Sequence, residues 1–137
     1  MADCWPQHLA GSAGGLTFLG GAGDFDAKGA IRYLDALKPQ VPGTISNLAS
    51  ALAIEGCELA DVIRLKVFYK SDGSRDEWEL LATLARHFAD DPLPAITLHP
   101  VPLQPFSGQE VQAQAIAMRG WRGNADLRVV TGDVPTR

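Results

Sequence analysis

Apolar residues recur along this chain with two different periods. Leu16-Thr17-Phe18-Leu19 is a short apolar run between Gly14-Gly15 and Gly20-Gly21, which reads as a buried strand. Val41, Ile45, Leu48 and Leu52 follow at helical spacing and share one helix face. Pro39 and Pro42 confine the start of that helix, because proline is tolerated in the first turn, and Gly56 supplies a left-handed cap after Glu55. The period then drops to two. Ile63, Leu65, Val67 and Tyr69 face one way and Arg64, Lys66 and Phe68 the other, a strand with one buried face. Ser74 and Glu77 have the spacing of a capping box. Behind them Trp78, Leu81, Ala85 and Phe88 make a second helical stripe, ended by Asp90-Asp91-Pro92. Ala95 to Val101 reads as a strand. So does Glu110 to Met118, with Val111, Ala113, Ala115 and Ala117 on one face and Glu110, Gln112 and Gln114 on the other.

This order predicts an α+β domain in which two helices cover one face of a single sheet. The second sheet face needs its own account. Gln112 and Gln114 make it polar, while Ile96 and Leu98 share one face of the strand candidate expected beside them. A surface that mixes apolar and amide groups fits a subunit contact or a pocket better than an open solvent face. The periodicity stops near Arg119, so residues 1–118 are read as the domain and 119–137 as a polar extension. That extension holds four Arg and two Asp, leaving a net charge of −6 on the first 118 residues.

Composition narrows the function classes. A chain of 137 residues has room for one core. The formal net charge of −4 disfavours a phosphate backbone as partner, so no nucleic acid is expected. No apolar run approaches the roughly 18–20 residues needed to span a bilayer, and no membrane partner is expected. Met1-Ala2-Asp3-Cys4-Trp5-Pro6 lacks the basic-then-apolar order of a secretory signal, so a cytoplasmic location is expected. Cys4 and Cys57 alone make neither a disulfide framework nor a zinc site, and no His, Cys or acid pair has metal-ligand spacing. No metal and no cofactor are expected. Gly20-Gly21-Ala22-Gly23 lacks the rest of a nucleotide-binding fingerprint and reads as a turn.

Several patterns in order carry a family resemblance: Gly15-Leu16-Thr17-Phe18-Leu19-Gly20-Gly21; Gln40, then Asn47-Leu48, Leu52 and Gly56; Leu59-Ala60-Asp61-Val62-Ile63 with the strand to Tyr69; Pro94-Ala95-Ile96-Thr97; and Gln112-Ala113-Gln114-Ala115-Ile116-Ala117. From Gly14 to Met118 the chain resembles the Rid/YjgF family of enamine and imine deaminases. The resemblance implies a chorismate mutase-like fold, one mixed sheet with two helices on one face. It also implies a homotrimer with a small-metabolite cleft at each subunit contact.

In active family members an Arg clamps the substrate carboxylate through two parallel N–H donors; the matching position here is Ile96. A family Glu holds the attacking water, and Gln114 stands in its place. The family's early-strand Ser is Gly20, and its pocket-mouth Tyr falls near Gln7 and His8. The site implied by the resemblance therefore has Ile96 and Leu98 as an apolar wall, Gln112, Gly20 and His8 as further substrate contacts, and Gln114 as the water-holding group. Glu110 is the carboxylate on that face available as a base. His99 is expected to face away from Ile96, toward the helices or a strand end, as a structural residue. His87 suits a helix C-terminus, and Cys57 reads as a packed small residue. Two functions follow. One is a hydrolytic deaminase of unusual enamines or imines, acting little on ordinary 2-imino acids. The other is a non-catalytic trimer that binds a metabolite in the same cleft.

Overall fold

The computed structural model describes residues 10–71, 77–88, 93–124 and 126–128. Five strands and two helices follow one another as β1 (Ala10–Ala13), β2 (Leu16–Ala22), α1 (Leu37–Ile54), β3 (Val62–Lys70), α2 (Glu77–Ala85), β4 (Ala95–Val101) and β5 (Val111–Met118). They form one mixed sheet in the order β1-β2-β5-β3-β4. Only β3 and β4 run parallel. A parallel pair needs a crossover, and α2 supplies it. The expected α+β class, a mixed sheet with two helices, is the architecture observed.

Local chemistry explains the ends of these elements. Gly14 and Gly15, with φ of 59° and 82°, form the two-residue turn between β1 and β2, a turn that needs positive φ at both positions. α1 starts at Leu37, so Pro42 lies inside the helix rather than in its first turn. Pro42 and Lys38 are both exposed, which lets water satisfy the Lys38 carbonyl that Pro42 leaves without a donor. Gly56, at φ 75°, follows α1 as expected.

The core lies between the helices and one sheet face. From α1 it takes Val41, Ile45, Leu48 and Leu52, and from the sheet Leu19, Leu65, Val67, Tyr69, Val111, Ala113, Ala115 and Ala117. The alternation in β5 is as the sequence predicts. β3 differs at its start: pairing with β5 shifts between Val62 and Arg64, so Val62 is fully buried and Ile63 is not. A bulge adds one residue and resets the facing parity, which strict alternation does not show. α2 is rotated from its expected face. Leu80, Leu84 and Phe88 are buried, whereas Trp78 is 78% exposed and Leu81 and Ala85 are half-buried. Two leucines offer more apolar area than Leu81 with Ala85, and the helix turns accordingly. Ser74 of the expected capping box lies outside the described residues.

Gly120 and Trp121, just after β5, pack on the domain. Trp121 is 8% exposed and its indole N–H donates to the Ala60 carbonyl at 3.0 Å. Asp61 accepts from the amides of Glu58 and Gly120 at 2.9 and 3.1 Å, joining the end of β5 to the turn before β3.

Two outcomes test this packing. Phe88→Ala should cost roughly 3–5 kcal/mol in denaturant unfolding, while Trp78→Ala should stay within about 0.5 kcal/mol. The buried Tyr69 hydroxyl donates to the Glu77 carboxylate. Burial and that hydrogen bond push its pKa up from 10.0 to about 12. A raised folded-state pKa stabilises the protein fully below the unfolded value of 10.0 and ceases to do so as pH rises through about 12. Alkaline unfolding across that window should therefore weaken in Tyr69→Phe relative to the parent.

Candidate functional site

The face turned away from the helices is built by register. β5 lies between β2 and β3, so its outward residues have a neighbour on each side. Ile116 stands between Phe18 of β2 and Arg64 of β3. Gln114 stands opposite Lys66, and Gln112 opposite Phe68. On the far side of β3, Ala95, Thr97 and His99 continue the same rows. The β2–β5 register shifts between Leu19 and Ala22, across Gly20-Gly21. A Cβ on Gly21 would lie 2.5 Å from the Gln112 amide carbon. The Gln112 side chain therefore occupies space that only glycine leaves open.

Beside this bulge is a cavity of about 360 Å³, lined by Phe18, Leu19, Gly20, Arg64, Lys66, Gln114, Ala115 and Ile116. Its chemistry is one amide and two cations on an apolar frame. Arg64 and Lys66 have no ion-pair or hydrogen-bond partner among the described residues. Two larger depressions, each about 510 Å³, border Arg32. That guanidinium is already paired with the buried Asp24 at 2.8 Å. The open-face cavity is the better candidate site.

The structure brings together only part of the expected set. Gln114 and Gly20 line the cavity, and Gln112 lies next along β5. Ile96 and Leu98 do not join them. They pair with Leu65 and Val67 and pack against the core under the helices. Leu65 and Val67 face the helices whereas Lys66 and Phe68, the partners of Gln114 and Gln112, face away, so the expected apolar wall lies on the opposite face from the glutamines. Glu110 is 3% exposed, and its carboxylate lies 3.9 Å from the Lys70 ammonium. It is four residues from Gln114, about 13 Å at strand rise, and does not line the cavity. His99 faces away from Ile96 as expected, but toward the open face rather than the helices. There it stacks on Phe68 with ring centroids 4.9 Å apart. His8 lies outside the described residues.

Of the cavity lining, Lys66, Phe18 and Ile116 carry no sequence signal of a site, whereas Arg64 is one of the cations the sequence offers in place of the family's Arg. The alternation in β3 already put Arg64 and Lys66 on the outward face. What it lacked was the strand order that sets them beside Gln114. Among the described residues no group of His, Cys, Asp and Glu could hold a metal ion, and no helix is long and apolar enough to cross a membrane.

No protein-family model and no curated protein matches the sequence. Solved structures do match. A Thermotoga maritima protein, provisionally described as an endoribonuclease, aligns at 23% identity and TM-score 0.69, over 85% of this chain and 87% of its own. RidA from an Antarctic Psychrobacter aligns at 20% identity and TM-score 0.67, over 86% and 90%. A Mycobacterium tuberculosis member of the YjgF/YER057c/UK114 family aligns at 19% identity and TM-score 0.63, over 80% and 83%. At these identities the likeness is one of backbone architecture. The chain has the fold of the Rid/YjgF proteins.

Proposed function

We propose that this is a Rid/YjgF-type protein that binds a small metabolite in the open-face cavity and hydrolyses ordinary 2-imino acids little or not at all. The lining carries the reading: Gln114, Arg64 and Lys66 supply donors, and among the described residues no carboxylate lines the cavity. Water attacking a C=N carbon must lose a proton in the transition state. A glutamine amide can orient that water but cannot accept its proton. Glu110, the carboxylate of that face, is buried beside Lys70 at the far end of the row.

The competing reading is a hydrolytic deaminase of unusual enamines or imines. The sequence resemblance to Rid/YjgF deaminases favours it, and ammonia release from a panel of such substrates would establish it. The acidic net charge of −4 gives no support to RNA as substrate.

Self-association belongs to the same proposal. The open face exposes Phe18 to 46% and surrounds it with Ile116 and amide groups. A closed cyclic assembly covers such a face without leaving an open end, and the homotrimer implied by the resemblance is one. Light scattering at micromolar concentration should give three times the chain mass of 14.6 kDa. A monomer mass would remove the trimer from the proposal.

For the chemistry, 2-iminobutanoate would be generated in situ and ammonia release followed. The parent protein should leave the uncatalysed rate almost unchanged. Gln114→Glu should raise it, up to the roughly 10²–10⁴-fold typical of a placed base. Strong catalysis by the parent would overturn the proposal. Ile96→Arg should not restore activity, because position 96 faces the helices.

A further inference from the structure

Arg64 and Lys66 are two residues apart on one strand, so their side chains leave the same face about 7 Å apart. Neither is neutralised by a described residue, although the chain as a whole carries a charge of −4. Both line the same cavity, whose other walls are the apolar Phe18 and Ile116. Like charges held beside a low-dielectric surface repel more strongly than in bulk water. An anion between them replaces that repulsion with two attractions. A single negative charge matches only one of the two cations. Gln114, directly opposite Lys66, adds an amide N–H donor, and among the described residues no lining carboxylate would repel an anion. The volume of about 360 Å³ falls at the small end of ligand sites.

We propose that the cavity takes a small organic dianion, a short dicarboxylate or a phosphate monoester. Its charges are held by Arg64 and Lys66, and its apolar part lies against Phe18 and Ile116. The inference rests on the metabolite-binding reading above and names the class of metabolite. It places anion recognition on β3, on residues of the chain's own outward face. The planar guanidinium suits a carboxylate or phosphate through two parallel donors, and the ammonium acts as a point charge beside it.

The test is calorimetric titration of the full chain with succinate, propyl phosphate, butyrate and butyramide, at low salt and at 0.15 M. At least one dianion should bind roughly tenfold or more tightly than butyrate, and the preferred one tells carboxylate from phosphate recognition. Arg64→Gln and Lys66→Gln should each weaken the dianion about 10- to 100-fold, as expected for a lost charge-assisted hydrogen bond. Both variants should keep the parent melting temperature, since Arg64 is exposed and Lys66 half-buried. Butyrate or butyramide binding as tightly as the dianions would overturn the inference and leave metabolite binding standing. Failure of all four probes would overturn it too, and a wider neutral-metabolite screen that also failed would sink the binding reading itself. Loss of the oligomer in either glutamine variant, with dianion binding unchanged, would assign the two cations to a partner subunit and also overturn the inference.

Discussion

A single buried amide holds the second half of the sheet in place. Gln40, on α1, is fully buried, and its Nε2 donates to the carbonyls of Tyr33 and Gly108 at 2.6 and 2.9 Å. Its Oε1 accepts the backbone amide of Glu110 at 2.8 Å. One side chain thus satisfies the loop that enters α1, the loop that leaves β4 and the first residue before β5. A buried polar backbone group without a partner costs about 1–3 kcal/mol, so the three segments are strongly coupled to the position of α1. The Asn47 amide does the same for the loop after β2, donating to Gly23 and Phe25 at 2.7 and 2.9 Å. With Glu110 anchored this way, the parity of β5 is fixed. Gln112, Gln114 and Ile116 must then point away from the helices.

That coupling explains which parts of the fold were legible in the sequence. Val41, Ile45, Leu48 and Leu52 declare the buried face of α1 because each is apolar and each has a core neighbour. β5 declares itself because its alanines alternate with glutamines. Gln40 carries no such signal. It is a polar residue at a core position, and only the three loops that converge on it explain its burial. The bulge at Ile63 is equally silent, since a β-branched residue reads as inward wherever neighbours alternate. In α2 two apolar stripes overlap, and periodicity alone does not choose between Leu81 with Ala85 and Leu80 with Leu84. Packing area chooses.

The candidate site was half legible for a related reason. Each strand's alternation could be read, and it put Gln112 and Gln114 on one face of β5 and Arg64 and Lys66 on one face of β3. Neighbours across a sheet are set by strand order, which a single sequence does not print. Taking β4 as the neighbour of β5 joins Ile96 and Leu98 to the glutamines. In the structure β3 lies between them and brings two cations to the amides, while the register of β4 on β3 pairs Ile96 and Leu98 with the inward Leu65 and Val67, under the helices. The resemblance had the same limit. It matched positions along the chain, whereas a site is made by positions across it.

The exchange alters what the face can do. An apolar wall with amides would select a neutral ligand by shape and would pay the full desolvation cost of any carboxylate entering it. Two cations beside the amides reverse that preference, because a charged ligand now trades water for charge-assisted hydrogen bonds. The same cations do not by themselves give Gln114 a hydrolytic role. They stabilise hydroxide, which helps, but supply no acceptor for the proton that makes it. Catalysis at a C=N bond needs both a cradle for the anionic end of the substrate and a base beside the electrophilic carbon. The proposed cradle lies on β3, while the carboxylate of Glu110 sits apart from it, in the buried corner beside Gln40 and Lys70. Binding without turnover is what that separation favours, and reuniting the two functions would take a carboxylate at residue 114 rather than a cation at residue 96.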